Sequence, residues 1–240
     1  MPIEKEQFIK RFAKQALDDR ISLFLGAGGS CDAGYPNWAD LFTPLAKELG
    51  TPISESTDYY KLAQYYANSF GSTELRKGIN ERINRNRYES PLLEELVDIG
   101  FTNVWTTNFD GLMEKCAHLY NLMSISIATN SIDRFYKTNS KNELFIVPLH
   151  GDYKFGKLKN TASELDSQND EYVKALSFDL TDKDLIVIGY SGRDVSLMTA
   201  LKSAYSNRGA GRLFWCGYGN KASTQVENLI DYINSHNRTA

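Results

Sequence analysis

The chain predicts an α/β fold: a doubly wound, Rossmann-like parallel sheet of about six strands, with a small helical module inserted after the first strand. Three observations predict it. Six short apolar runs recur along the sequence, helical patterns alternate with them, and several runs end in glycines or small polar residues. Runs with few alternating polar positions suit strands covered by helices on both faces. Strand–helix alternation at such spacing favours the doubly wound arrangement.

The first strand is expected at Ile21–Leu25, leading straight into Gly26-Ala27-Gly28-Gly29-Ser30. A helix follows at Trp38–Leu49, with Leu41, Phe42, Leu45, Ala46 and Leu49 on its apolar stripe and Gly50 at its end. The stretch to the second strand is longer than one crossover helix requires. Within it, Asp58–Arg87 is helical in character, with Tyr59, Leu62, Tyr65, Tyr66, Leu75, Ile79 and Ile83 as expected buried positions. This module, about residues 51–90, would make a wall or lid for a cleft. Pro91–Ile99 and Phe109–Tyr120 are the next helices, flanking a second strand at Asn103–Thr106. Strands at Ser124–Ala128, Leu144–Leu149, Asp184–Gly189 and Arg212–Cys216 follow, with a helix at Asp194–Tyr205 and a polar loop at Gly156–Asp170.

Composition narrows the class. At 240 residues the chain is long enough for one well-packed domain. A net charge of −3 argues against nucleic-acid binding driven by phosphate contacts. No apolar stretch approaches the length of a membrane span, and the charged, amphipathic N-terminus is unlike a signal peptide. Three widely spaced cysteines suggest neither a disulfide framework nor a zinc site, so no metal is expected. The expectation is a soluble, cytoplasmic protein.

Four strand ends carry chemistry. Glycines after the first strand allow a sharp turn and close backbone approach to an anion at the following helix start. The segment departs from the GxGxxG fingerprint, because Cys31 stands at the third glycine, so hydride-transfer chemistry is disfavoured. The second strand ends in Thr106-Thr107-Asn108-Phe109-Asp110, where Asn108 and Asp110 read also as helix caps. The fourth strand delivers His150, one of three histidines, at a strand-to-loop junction. A proton-transfer role suits a residue that titrates near neutrality, and a hydrogen-bonded structural histidine is the alternative. The fifth strand ends in Gly189-Tyr190-Ser191-Gly192-Arg193-Asp194. Trp38 reads equally as pocket wall or core, and Arg193 with Asp194 as a helix-start ion pair.

Together GAGGSCDAGYP (Gly26–Pro36), TTNFD (Thr106–Asp110), LHGD (Leu149–Asp152) and GYSGRD (Gly189–Asp194) resemble the sirtuin superfamily, in family order and over nearly the whole chain. Two departures stand out. The four-cysteine zinc ribbon of sirtuin deacylases is missing, and Asn37-Trp38-Ala39 replaces the family's Asp-Phe-Arg. In both respects the chain looks more like the bacterial sirtuin-like NAD hydrolases of anti-phage systems.

That resemblance implies one NAD-binding catalytic domain over residues 1–240, the effector of a longer protein or complex. It implies NAD+ as substrate, cleaved at the nicotinamide N-glycosidic bond to nicotinamide and ADP-ribose. His150, Asn108 and Asp110 would be the catalytic residues: His150 on the ribose hydroxyls and as base, Asn108 on the ribose or the attacking water, Asp110 on the carboxamide. Gly26, Ala27, Gly28 and Ser30 would cradle the diphosphate, Pro36 and Thr107 would join the binding site, and Gly189 and Ser191 would lie along the adenosine half. The implied partners are a homo-oligomer or a sensor module, without nucleic acid or membrane. An NAD-dependent deacylase and a non-catalytic NAD or ADP-ribose sensor are the alternatives.

Overall fold

The computed structural model describes residues 3–54, 57–83, 89–108, 110–127, 129–136, 142–149, 169–206, 209–217 and 222–236. Among them, β1 (Ile21–Leu25), β2 (Asn103–Thr106), β3 (Met123–Ser126), β4 (Glu143–Pro148), β5 (Asp184–Ile188) and β6 (Leu213–Cys216) form one sheet. Its order is β3-β4-β2-β1-β5-β6, and every pairing is parallel. The two central strands match the expected bounds to the residue, and the rest lie within two residues of them.

Helices cover both faces, as the apolar strands require. Phe24, Trp105, Val147 and Val187 point to one side, against α7 (Asn169–Asp179), α8 (Val195–Ala204), α9 (Thr224–His236) and a 3₁₀ segment at Thr129–Tyr136. Leu23, Leu25, Val104, Ile146 and Ile186 point to the other, against α1 (Lys5–Leu17), α5 (Pro91–Asp98) and α6 (Leu112–Leu119). The alternation within each strand is the period-2 pleat. Helix α7 begins where a loop is expected. It is held from inside by Asp179, which accepts from Asn103 Nδ2 at 2.6 Å and Trp105 Nε1 at 2.7 Å.

The helical module forms its own core. Leu41, Phe42, Leu45 and Ala46 of α2 (Trp38–Glu48) pack with Tyr59, Leu62, Ala63 and Tyr66 of α3 (Tyr59–Phe70) and Leu75, Ile79 and Ile83 of α4 (Ser72–Ile83). Tyr65, expected in this core, is 61% exposed. Positions 59, 62, 63 and 66 complete the i, i+3, i+4, i+7 stripe, and residue 65 falls a full residue rotation off it. Gly71, at φ +97°, breaks α3 from α4 in a conformation that other side chains rarely adopt. Among the described residues no helix is long and apolar enough to cross a membrane.

Candidate functional site

The four strands that carry the sequence motifs are the four central strands, and they end level. Pro148 pairs with Thr106, Thr106 with Leu25, and Leu25 with Ile188, so one row of residues crosses the carboxyl edge of the sheet. β3 and β6, which carry no motif, are its edges. The chain crosses from β1 to β2 on one side and later returns to β5 on the other. The crevice between β1 and β5 is thus a topological switch point, where open α/β sheets take their ligands.

The loops after β1 and β5 are pressed together. Gly26 N–H donates to Ile188 O at 2.9 Å and Gly28 N–H to Gly189 O at 2.8 Å. A Cβ on Gly26 would meet Gly189 O at 2.5 Å, and one on Gly189, itself at φ +68°, would meet Gly29 N at 2.1 Å. These glycines are required first by each other: the close approach they permit is between two protein backbones. Ala27–Ser30 then turns in a 3₁₀ helix.

Across the β1–β2 side, three side chains form a hydrogen-bonded chain. Asn108 Nδ2 donates to Gly26 O and to Ser30 Oγ, both at 3.0 Å, and Ser30 Oγ donates to Asp110 Oδ2 at 2.7 Å. Asp110 Oδ1 accepts from Leu112 N–H at 2.9 Å, which caps α6. The expectation that Asn108 shares this capping is not met: its side chain braces the glycine loop, and its backbone N–H donates to Thr106 Oγ1. Because Gly26 O can only accept, the amide orientation is fixed, with Nδ2 on the glycine loop. Among the described residues Asn108 Oδ1 and Thr107 Oγ1 are buried without a hydrogen-bond partner. Burial pushes the Asp110 carboxyl above its ordinary value, opposed by the Leu112 N–H and the Ser30 hydroxyl.

Two hollows meet here. A narrow one is lined by Ala27, Ser30, Tyr35, Pro36, Trp38, Leu41, Ile83, Thr107, Asn108 and Asp110. A wide one of about 630 Å³ runs along Ala27, Gly28, Trp38, Tyr59, Gly189, Tyr190, Ser191 and Arg193. Ala27 and Trp38 belong to both, so the hollows are two arms of one cleft. Of the expected binding residues, Gly26 lines neither arm and acts through its carbonyl. His150 and Asp152 lie outside the described residues, as does Phe109. The chain reaches His150 through Leu149, whose N–H donates to Thr106 O at 2.8 Å beside Asn108.

Trp38 fulfils both of its readings. It stacks on Phe42 at 5.3 Å and 13° within the module core, and it lines both arms. Tyr190, between Phe24 and Trp215, is a neutral wall: burial and then the Asp194 charge hold its phenol well above the ordinary value. Tyr35, Ile83 and Tyr59 as wall residues were not legible, because no sequence signal says which face of the module meets the sheet. Asp194 caps α8 by accepting from Leu197 N–H at 3.1 Å, and Arg193 beside it is exposed. Among the described residues no cluster of His, Cys, Asp and Glu could hold a metal ion.

Fold and site together define a parallel α/β domain with a nucleotide-type crevice at its switch point, walled on one side by an inserted helical module. The chain belongs to the SIR2-like domain family, which matches residues 102–238. It is 30% identical over 220 residues to the NAD(+) hydrolase ThsA of Bacillus cereus (strain MSX-D12), covering 83% of this chain and 44% of that protein. It is 31% identical over 202 residues to the NAD(+) hydrolase ThsA of Acinetobacter baumannii (strain 532279), covering 81% and 41%. Defense-associated sirtuin 2 of Bacillus subtilis is 23% identical over 153 residues, 62% of this chain and 15% of that protein. The chain thus spans less than half the length of the relatives it matches.

Proposed function

We propose that this domain hydrolyses NAD+ at the nicotinamide N-glycosidic bond, giving nicotinamide and ADP-ribose, as the NAD-depleting part of a bacterial anti-phage defence protein. The observation that carries this reading is the Asn108–Ser30–Asp110 chain at the crevice, where Asn108 and Thr107 line the narrow hollow and their Oδ1 and Oγ1 atoms are buried without a partner among the described residues. Buried polar atoms are normally satisfied, so these two ask for a polar ligand. The names of the relatives, NAD(+) hydrolase among them, support the same substrate.

The chemistry asks little covalent work of the protein. The C–N bond breaks with its electron pair passing to the pyridinium nitrogen, so nicotinamide leaves neutral. A water oxygen bonds to ribose C1′, and one proton is released. Positive charge develops at C1′ and the ring oxygen, and an acceptor oxygen fixed nearby lowers the barrier. Asn108 Oδ1 is such an acceptor, held by two bonds from its own amide nitrogen, and is assigned to the ribose or the attacking water. Asp110 takes the carboxamide, with Pro36 and Thr107 beside it. His150 is assigned as the base that polarises the ribose hydroxyls. The wide arm takes the adenosine half along Gly189 and Ser191, and Gly28 lies where the two halves join.

We further propose that this domain works with a sensor module or a further copy of itself, in the cytoplasm. The deciding experiment incubates the chain with NAD+, with and without an acetylated peptide, and quantifies nicotinamide and ADP-ribose. Peptide-independent ADP-ribose is the expected product, and Asn108→Ala is expected to lower its rate about 10²–10³-fold. Full activity in Asn108→Ala or in His150→Ala would reject the assignment of these residues, and a peptide-dependent acyl product would replace hydrolysis with deacylation.

A further inference from the structure

The glycine loop that would ordinarily cradle a diphosphate has few donors left for one. The N–H groups of Gly26, Gly28 and Gly29 are bonded to Ile188 O, Gly189 O and Gly26 O. The Ser30 hydroxyl proton is held by Asp110 at 2.7 Å. Most of the donors expected to meet an anion are thus occupied within the fold. The sequence also lacks an arginine in the segment Asn37-Trp38-Ala39. A dinucleotide nevertheless brings two negative charges to the point where the arms of the cleft join.

One side chain answers that charge. The described residues lining the wide arm include two ionisable carboxylate or guanidinium groups, Arg193 and Asp194. Asp194 is buried and caps α8. Arg193 is exposed to the cleft and makes no hydrogen bond or ion pair to the described residues. Its backbone is fixed on both sides. Gly192, at φ +75°, leaves only 2.7 Å between a would-be Cβ and Val226 Cγ2, and Ser223 Oγ donates to Ser191 O at 3.1 Å. The loop therefore places an exposed arginine on the lining of the same cavity as Gly28, Gly189 and Ser191. A planar fork of donors suits a phosphate oxygen pair better than any other side chain.

We propose that Arg193 is the diphosphate anchor of this cleft, replacing the backbone amides that the fold has already used. The proposal rests on the dinucleotide reading above and adds a selectivity: the site prefers ligands carrying a diphosphate over the nucleoside alone. Calorimetric titration of the full chain with ADP-ribose, ADP and adenosine tests it, on the wild type, Arg193→Gln and Arg193→Lys. The expected result is about a tenfold or greater loss of ADP-ribose and ADP affinity in Arg193→Gln, with adenosine unchanged and Arg193→Lys intermediate. Unchanged ADP-ribose affinity in Arg193→Gln, or equal losses for adenosine and ADP, would overturn the anchor while leaving the dinucleotide site intact. A wild type that binds none of the three would overturn both readings.

Discussion

Asp110 is a buried carboxylate that, among the described residues, is met by one hydroxyl and one backbone N–H. Both favour the ionised form, yet burial outweighs them and raises the carboxyl above 3.8. An acid raised in this way stabilises the fold while protonated. That contribution is complete below the unfolded value and is lost as pH rises through the folded one. Asp110→Asn does not titrate. Its cost, a Ser30 proton left without an acceptor, is the same at every pH. Thermal melts of both proteins between about pH 4 and about pH 7 should therefore show the variant gaining on the wild type as pH rises. A constant difference across that range would mean that Asp110 titrates normally. On the proposed assignment of Asp110 to the carboxamide, nicotinamide release should fall in the variant throughout.

At the scale of elements, the glycine loop is held by more than its glycines. Asp32, just past the 3₁₀ turn, accepts from Ser90 Oγ at 2.9 Å and from Leu92 N–H at 3.0 Å, so it ties the loop to the first turn of α5. Ser90 also caps α5 through Leu93 N–H at 3.2 Å. A carboxylate at a helix start gains from the dipole as well as from its hydrogen bonds. Asp32→Ala should cost about 1–2 kcal/mol in urea unfolding, with an increase in KM for NAD+ as the loop loosens. An unchanged midpoint would show the latch to be idle. Asp32 stands in a motif legible in the sequence, but its partner lies 58 positions on, and nothing local announces it. The same contrast holds across the fold. β1 and β2 were legible because each is a short, fully buried run that leads directly into a motif of small or polar residues. Helix α7 was not, because among its described residues Ala175 and Leu176 are the buried apolar side chains, Tyr172 is partly buried beside them, and its entry is polar. In the site, the strand-end motifs were legible as a set, while the partition of Asn108 into a bracing Nδ2 and a buried, unpartnered Oδ1 depends on the loop opposite.

At the scale of the molecule, the cleft and the Arg11–Asp184 ion pair sit at opposite ends of the same strand. Asp184 opens β5 at the amino edge of the sheet, about 13 Å from Ile188 at the carboxyl edge. There it accepts from Arg11 Nε at 3.0 Å and Arg11 Nη2 at 3.1 Å, and from Arg212 N–H at 2.7 Å. Arg11 belongs to α1, a helix with no fully buried residue, which otherwise rests on the sheet through Phe8 against Phe214 and Phe12 against Phe101. The side chain of Asp184 is 4% exposed, so removing its bidentate partner leaves a charge poorly solvated and answered by one backbone N–H. That loss is partly relieved because Arg11 itself is 28% exposed and water can follow it out. Arg11→Ala should accordingly lower stability by about 1–3 kcal/mol, read as a shift in the urea midpoint. The level row from Pro148 to Ile188 is set by the hydrogen bonds of four central strands and does not pass through α1. The KM for NAD+ and the rate of nicotinamide release, measured well below the melting temperature, should therefore stay at wild-type values. A fall in rate at unchanged stability would show instead that the amino edge communicates with the cleft, with β5 as the path between them.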